Sequence, residues 1–409
     1  MTIAVIGGAS ITSKAPHRML TSLRSVAAEG CLVALEDDRW YRDFQVGLYG
    51  PIFGYAPIWW REALHCAVDD GPASSIACRD ERIVAEMLGQ FYPDVEGVRW
   101  MLSGSDPNSA AVKVARAYTG RDKLLVFGYH GVSSAFASPP VALDPDDNTR
   151  GTLRAERDAY LPLDWLDYQR LDEVLVQPQR FPGTGAARVG PVACECDVAA
   201  VVVECPPNDG GKKEATRFLH ACADKAHAVG ALFVLDEVVT GFRYGFGGAA
   251  EYYGLQGKVD LYAFGKTISN GYPVSALAGK LDIMQELAGR PNVKGKVHYS
   301  GTWFGEPLGL AAAKATLHQL LQEPPYEYLY DLGEYLIKQW NGLKLPWKLI
   351  GHPTRPIIDP QTEKVGFVDL RRRLFRKGFI VCDHPWFVTR AHTREDIEAL
   401  VAAAKGWKA

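Results

Sequence analysis

The sequence predicts an α/β protein: a large domain on a mixed, mostly parallel sheet, with an N-terminal arm before it and a small C-terminal α+β domain after it. Three observations carry that prediction. Between residues 97 and 280, short apolar β-rich runs alternate with helical patterns. Those runs are apolar on both faces, as expected of strands that helices cover on each side. After Gly301 the pattern changes to one long helix and then to a shorter, largely helical segment.

Taken in order, Val98 to Leu102 reads as a strand and Ser109 to Tyr118 as the helix after it. Lys123 to Phe127, Ala199 to Val203 and Ala231 to Leu235 read as further buried strands, the last preceded by a helix from Glu214 to Val229. Asp260 to Phe264 and Val274 to Ala278 add two more. The stretch from Leu143 to Gly190, rich in Asp, Pro and Arg, reads as loops with a short strand or two. A helix from Pro307 to Leu321 ends at Pro324 and Pro325, and a β-like run at Gly378 to Cys382 precedes a final helix from Arg394. The expected division is 1–60 as the arm with part of the small domain, 61–305 as the large domain, and 306–409 as a linking helix and the small C-terminal domain.

Bulk composition excludes several roles. With 409 residues, 47% of them hydrophobic, the chain buries a large core rather than remaining disordered. Its 45 basic and 48 acidic residues give a formal charge of −3, which supplies no overall attraction to nucleic acid or to an anionic membrane. No window approaches the roughly 20 apolar residues of a membrane span. The eight cysteines are scattered, and the close pair Cys194 and Cys196 lacks the second pair or histidines that zinc requires, so no metal site is expected. A cytoplasmic location is the simplest expectation. Near the start, Ala4 to Gly8 looks like a strand entering a nucleotide loop, but the G-x-G-x-x-G spacing is absent.

The chemistry lies elsewhere. The run Phe233 to Arg243 is an apolar strand that delivers two adjacent carboxylates, Asp236 and Glu237, to its C-terminal end. In open α/β sheets ligands gather at that edge. Thirty positions on, Phe264-Gly265-Lys266 ends a second strand in a glycine and a lysine, and a lysine among apolar neighbours is suited to act as an amine nucleophile. Singly, the acid reads more readily as a helix cap and the lysine as a solvated charge. Together, on consecutive strands, they are far more specific. Ser103 to Asn108 lies between a strand and a helix, where bare backbone N–H groups suit a phosphate. The same residues also read as a plain helix start, with Asp106 as N-cap and Pro107 at the first helical position.

Leu235 to Arg243 and Phe264 to Lys280 closely resemble the cofactor-acid and lysine segments of the class III aminotransferases. These are fold-type I, aspartate aminotransferase-like enzymes that use pyridoxal 5′-phosphate (PLP), and the resemblance is to their glutamate-1-semialdehyde aminomutase branch. It runs from Leu35 to Leu321 and resumes weakly at Val388 to Ala404. It implies that Lys266 forms a Schiff base with the PLP aldehyde and that Asp236 keeps the pyridine nitrogen protonated, so the ring accepts the electrons released at the substrate carbon. It further implies phosphate contacts from Gly104 and Ser105, stacking of Tyr129 on the ring with His130 beside it, Val238 under the opposite face, and Glu204 near the ring hydroxyl. The segment His298 to Pro307 matches one that reaches a neighbouring subunit, so Thr302 is expected at the partner's phosphate and a homodimer is the minimum assembly.

Substrate residues are less legible. Arg243, Tyr49, Trp40, Trp303 and the loop Ser269 to Pro273 are the candidates, with a surface or capping role as the competing reading of Arg243. Two departures, the missing Pro-Gly-Gly segment between Ser10 and Ala28 and Ser269-Asn270-Gly271-Tyr272 after the lysine, argue against strict glutamate-1-semialdehyde isomerisation. The leading expectation is therefore an aminotransferase-like enzyme acting on a small amine or amino-acid-like substrate. Decarboxylation, racemisation or an internal amino shift on the same fold is the alternative, and a catalytically inactive binding protein the third.

Overall fold

The computed structural model describes residues 9–10, 14, 19–71, 75–132, 151–175, 196–208, 210–289, 291, 293–363, 365–383 and 385–407. Cys194, the first residues through Gly8 and much of the stretch from Leu143 to Gly190 lie outside the described residues. The chain divides into two compact units, Met1–Cys66 with Gln319–Ala409, and Ala67–His318.

The first unit opens with an antiparallel meander, β1 (Ser25–Glu29), β2 (Leu32–Leu35) and β3 (Trp40–Asp43). The second unit is built on seven strands: β4 (Gly97–Met101), β5 (Lys123–Phe127), β6 (Tyr160–Pro162), β7 (Val198–Glu204), β8 (Leu232–Glu237), β9 (Leu261–Phe264) and β10 (Ser275–Gly279). Their order is β4-β10-β9-β8-β7-β5-β6, with β10 antiparallel to both neighbours and the remaining pairs parallel. The sheet is thus mixed and mostly parallel, as the sequence predicts. Back in the first unit, β11 (Leu349–Ile350) pairs with β12 (Ile357–Ile358), and β13 (Phe379–Ile380) extends the meander by pairing parallel to β3. The helix Arg394–Ala404 closes that unit behind a capping box in which Thr393 and Asp396 satisfy each other's backbone N–H groups.

All six residues of β8 are buried, because neighbours flank it on both edges and helices cover its faces. On one face Val202, Val234 and Leu277 pack against Ala110, Ala111, Val114 and Ala115 of the helix Ser105–Thr119. That helix starts earlier than expected, and this corrects the reading of Asp106 as N-cap with Pro107 first. Gly104 is the N-cap, and Pro107 falls in the first turn, where its missing N–H has no intrahelical partner to lose. Asp106 instead reaches back, its Oδ2 accepting from the Ser103 backbone N at 2.7 Å. The described part of Leu143 to Gly190 contains two short helices, Arg154–Asp158 and Tyr168–Val174, besides the expected strand. No helix among the described residues is long and apolar enough to cross a membrane.

Candidate active site

Strand alternation decides which carboxylate enters the site. On β8, Val234 and Asp236 share the face that meets the helix Ser105–Thr119, so Glu237 points to the opposite face. Asp236 is only 1% exposed. Its Oδ2 accepts from Asn108 Nδ2 at 2.8 Å and faces His130 Nδ1 at 2.8 Å, while its Oδ1 accepts from the Val238 backbone N at 2.9 Å. Three partners fix the carboxyl group in both position and rotation. His130 Nε2 faces the Phe127 carbonyl oxygen at 2.9 Å, and because a carbonyl only accepts, that nitrogen carries hydrogen.

Asn108 was missed at the sequence level. The signal was its place one turn after Gly104, four residues along one helix face, which becomes readable only once the helix is known to begin at Ser105. Its Nδ2 also donates to the Gly104 carbonyl oxygen at 3.1 Å. Both partners of Nδ2 are acceptors, which settles the amide orientation and leaves the buried Oδ1 with no protein partner among the described residues.

Glu237, fully buried, accepts hydrogen bonds from the Thr240 hydroxyl and from the backbone N–H groups of Ala249 (3.1 Å) and Ala250 (2.8 Å). It thereby clasps the loop that follows Asp236. Burial pushes its carboxyl up from the ordinary 4.5 to about 7, against the lowering effect of those donors and with help from the Asp236 charge. The native state then holds a proton that the unfolded chain has released. Stability accordingly falls as pH rises between 4.5 and about 7, and changes no further from this group above that. Glu237→Gln is expected to remove that slope, on the order of 3 kcal/mol, whatever its constant offset. Denaturant midpoints of both proteins across the window check it, and identical slopes refute it.

Lys266 follows β9 and Gly265. The Cα partner of Asp236 on β9 is Ala263, three residues before the lysine. Asp236 near the end of β8 and Lys266 just past the end of β9 therefore lie at the same edge of the sheet, on neighbouring strands. Lys266 also holds φ at +47°, a conformation unusual for a residue with a Cβ and one that functional sites retain at a cost of about 1–3 kcal/mol. The short turn Lys266–Ser269 locks it, with the Gly271 N–H donating to the Lys266 carbonyl oxygen at 2.9 Å.

Two glycines leave room beside Val238. A Cβ on Gly104 would come within 2.8 Å of Val238 Cγ1, and one on Gly265 within 3.3 Å. Ser105 Oγ accepts from the Val132 N–H at 3.2 Å, and Gly131, at φ +97°, packs so closely that a Cβ would overlap that hydroxyl. Glu204, the Cα partner of Asp236 on β7, accepts from the Tyr129 N–H at 3.2 Å. The Tyr129 ring is 50% exposed, and burial of its phenol together with the Glu204 charge holds the hydroxyl above its ordinary pKa. Asp236, His130, Glu204, Tyr129, Ser105, Gly104 and Val238 thus gather at the C-terminal edge of β5, β7 and β8.

The remaining candidates behave differently. Arg243 is fully buried, which overturns a surface role. Thr302 is exposed and Trp303 is 57% exposed. Trp40 and Tyr49 belong to the other unit; Trp40 is half exposed, and Tyr49 stacks on Phe387 at 4.3 Å between ring centroids. Cys205 is buried as packing.

The sequence profile of the family described as Aminotransferase class-III matches residues 12–351. The chain is similar to the glutamate-1-semialdehyde 2,1-aminomutase of Methylacidiphilum infernorum, at 32% identity over 91% of this chain and 87% of that protein. It is similar also to that of Geotalea daltonii, at 30% identity over 92% and 89%. Among solved structures, a glutamate-1-semialdehyde-aminomutase from Pseudomonas aeruginosa PAO1 superposes with a TM-score of 0.78 at 21% identity, covering 98% of this chain and 90% of that one. An omega-transaminase from Sphaerobacter thermophilus gives 0.77 at 22% identity, covering 93% and 90%. At these identities the structural matches establish the shared fold.

Proposed function

The chain belongs to the class-III aminotransferases, and from that premise we propose that it moves an amino group from a small amine or amino-acid-like substrate, with Lys266 holding its PLP cofactor. Membership brings with it an enzyme of aminotransferase or aminomutase type and PLP as cofactor. The observation that supports the site assignment is that a thrice-bonded, buried Asp236 near the end of β8 and a strained Lys266 just past the end of β9 lie at the same edge of adjacent strands.

The residues present fit the cofactor. The space that a Cβ on Gly104 or Gly265 would fill lies against Val238, and Asp236 is held in place by the Asn108 amide and the Val238 N–H. When bound, PLP supplies an electron sink for the pair released at the substrate carbon. Asp236 would hold the ring N–H, Val238 and Tyr129 would confine the two ring faces, and Glu204 would lie at the ring hydroxyl. The backbone at Gly104 and Ser105, with the positive end of the helix Ser105–Thr119, would hold the phosphate. Lys266 Nζ would hold the aldehyde carbon and, once displaced by substrate, carry a proton to or from the substrate carbon. Thr302, exposed in the single chain, would complete the phosphate site of a partner subunit, making a homodimer the working form.

A second reading, an internal amino shift, is favoured by the 30–32% identity to glutamate-1-semialdehyde 2,1-aminomutases. One experiment separates them. An aminotransferase offered an amino donor without acceptor bleaches its yellow colour stoichiometrically and retains the amino group; an aminomutase turns over a single substrate with no acceptor at all. Loss of carbon dioxide with the colour intact would defeat both.

The cradle makes its own prediction. Gly104→Val forces branched carbons against Val238 Cγ1 and is expected to weaken PLP uptake by about tenfold or more, since such overpacking costs about 1–3 kcal/mol. Titration of the cofactor-free protein measures it, and unchanged affinity would remove Gly104 from the site.

A further inference from the structure

Asn108 sits 1% exposed on the first turn of the helix Ser105–Thr119, and its amide spans two parts of the site that sequence places 132 positions apart. One Nδ2 hydrogen goes to the Gly104 carbonyl oxygen (3.1 Å), in the turn assigned to the phosphate. The other goes to Asp236 Oδ2 (2.8 Å), in the acid assigned to the ring nitrogen. We propose that Asn108 is a positioning residue, a strut tying the phosphate turn to the ring acid so that cofactor phosphate and ring are bound cooperatively rather than independently. The inference rests on the PLP reading above.

Three features support a strut over ordinary packing. The Asn108 Oδ1 is buried without a protein partner, so the side chain is held by its two N–H bonds alone among the described residues. An apolar residue of similar size would avoid that bare acceptor, which burial penalises. Together with His130, Asn108 engages Oδ2. Among the described residues Oδ1 accepts from the Val238 N–H and keeps a lone pair for the ring. Asn108 therefore decides which Asp236 oxygen meets the pyridine, as well as how far that oxygen lies from Gly104.

The test reads cofactor binding instead of turnover. Cofactor-free wild type, Asn108→Ala and the isosteric Asn108→Asp are titrated with PLP and with pyridoxal, which has the ring and aldehyde but no phosphate. In wild type the phosphate confers a certain ratio of affinities. If Asn108 couples the two ends, both variants lower PLP affinity about tenfold or more and shrink that ratio several-fold, because a bond to a charged acceptor has been lost from one side of a linked pair. If the ratio is unchanged while both affinities drop equally, Asn108 serves the ring end alone and the strut is refuted. Unchanged affinities refute it as well. Melting curves separate misfolding from mispositioning, and if alanine unfolds the protein, aspartate, which keeps the shape and replaces a donor by an acceptor, answers the question. A wild type that takes up no PLP would instead overturn the functional reading.

Discussion

Lys266→Ala is expected to abolish turnover, by at least about 10⁴-fold, because under the proposed assignment one substitution removes both the covalent attachment and the proton carrier at the substrate carbon. The fold should survive. Lys266 opens the turn after β9 at φ +47°, and alanine bears the same backbone strain without adding volume. The variant should bind PLP weakly and without the yellow colour of a lysine-linked cofactor, and a small soluble amine should restore a fraction of the rate by replacing the lost base. In the wild type, borohydride reduction followed by peptide mapping should place the cofactor on the peptide containing Lys266. A labelled peptide elsewhere, or turnover by the alanine variant, would end the assignment.

The second large effect is at Asp236, where loss of charge and loss of support must be told apart. Asp236→Ala leaves the donors of Asn108 and Val238 and the ring of His130 facing a cavity, at about 1–3 kcal/mol for each group stranded. It is therefore expected to lose stability as well as activity. Asp236→Asn is the cleaner probe. Its amide keeps an oxygen for the Val238 N–H and turns an NH₂ toward Oδ2's partners, where His130 Nδ1 can accept but Asn108 Nδ2 cannot. Under the proposed assignment the ring nitrogen would lose the charge that keeps its proton, and the rate should fall by about 10²–10⁴-fold, the usual weight of a positioned acid or base. Melting temperature and kcat measured side by side make the check. A stable asparagine variant with an undiminished rate would show that ring protonation does not limit the reaction.

Much of this site is legible before any coordinates. Strand cores such as Lys123–Phe127 follow from continuous apolar runs, because a strand covered on both faces has no polar side to present. The same logic singles out Asp236 and Lys266 as a pair, since two charged residues at the ends of consecutive apolar strands are far more specific together than either is alone. Glycines at Gly104 and Gly265 fit the same pattern, and the structure supplies their reason in the approach of Val238. The start of the helix at Ser105 was misplaced because Asp106 and Pro107 both favour first-turn positions, and local preference does not distinguish neighbouring registers.

What the sequence determined by itself was the strands and the candidate reactive groups at their ends, for these depend on residue type and hydrophobic period along a short stretch. The tertiary structure alone decided their relations: that Asp236 and not Glu237 faces the helix, that Asn108 and His130 share one carboxylate oxygen, and that Arg243 is enclosed. Such facts follow from strand register and helix placement, which join residues more than a hundred positions apart. No local pattern encodes a contact whose partner is chosen by how the whole sheet is assembled.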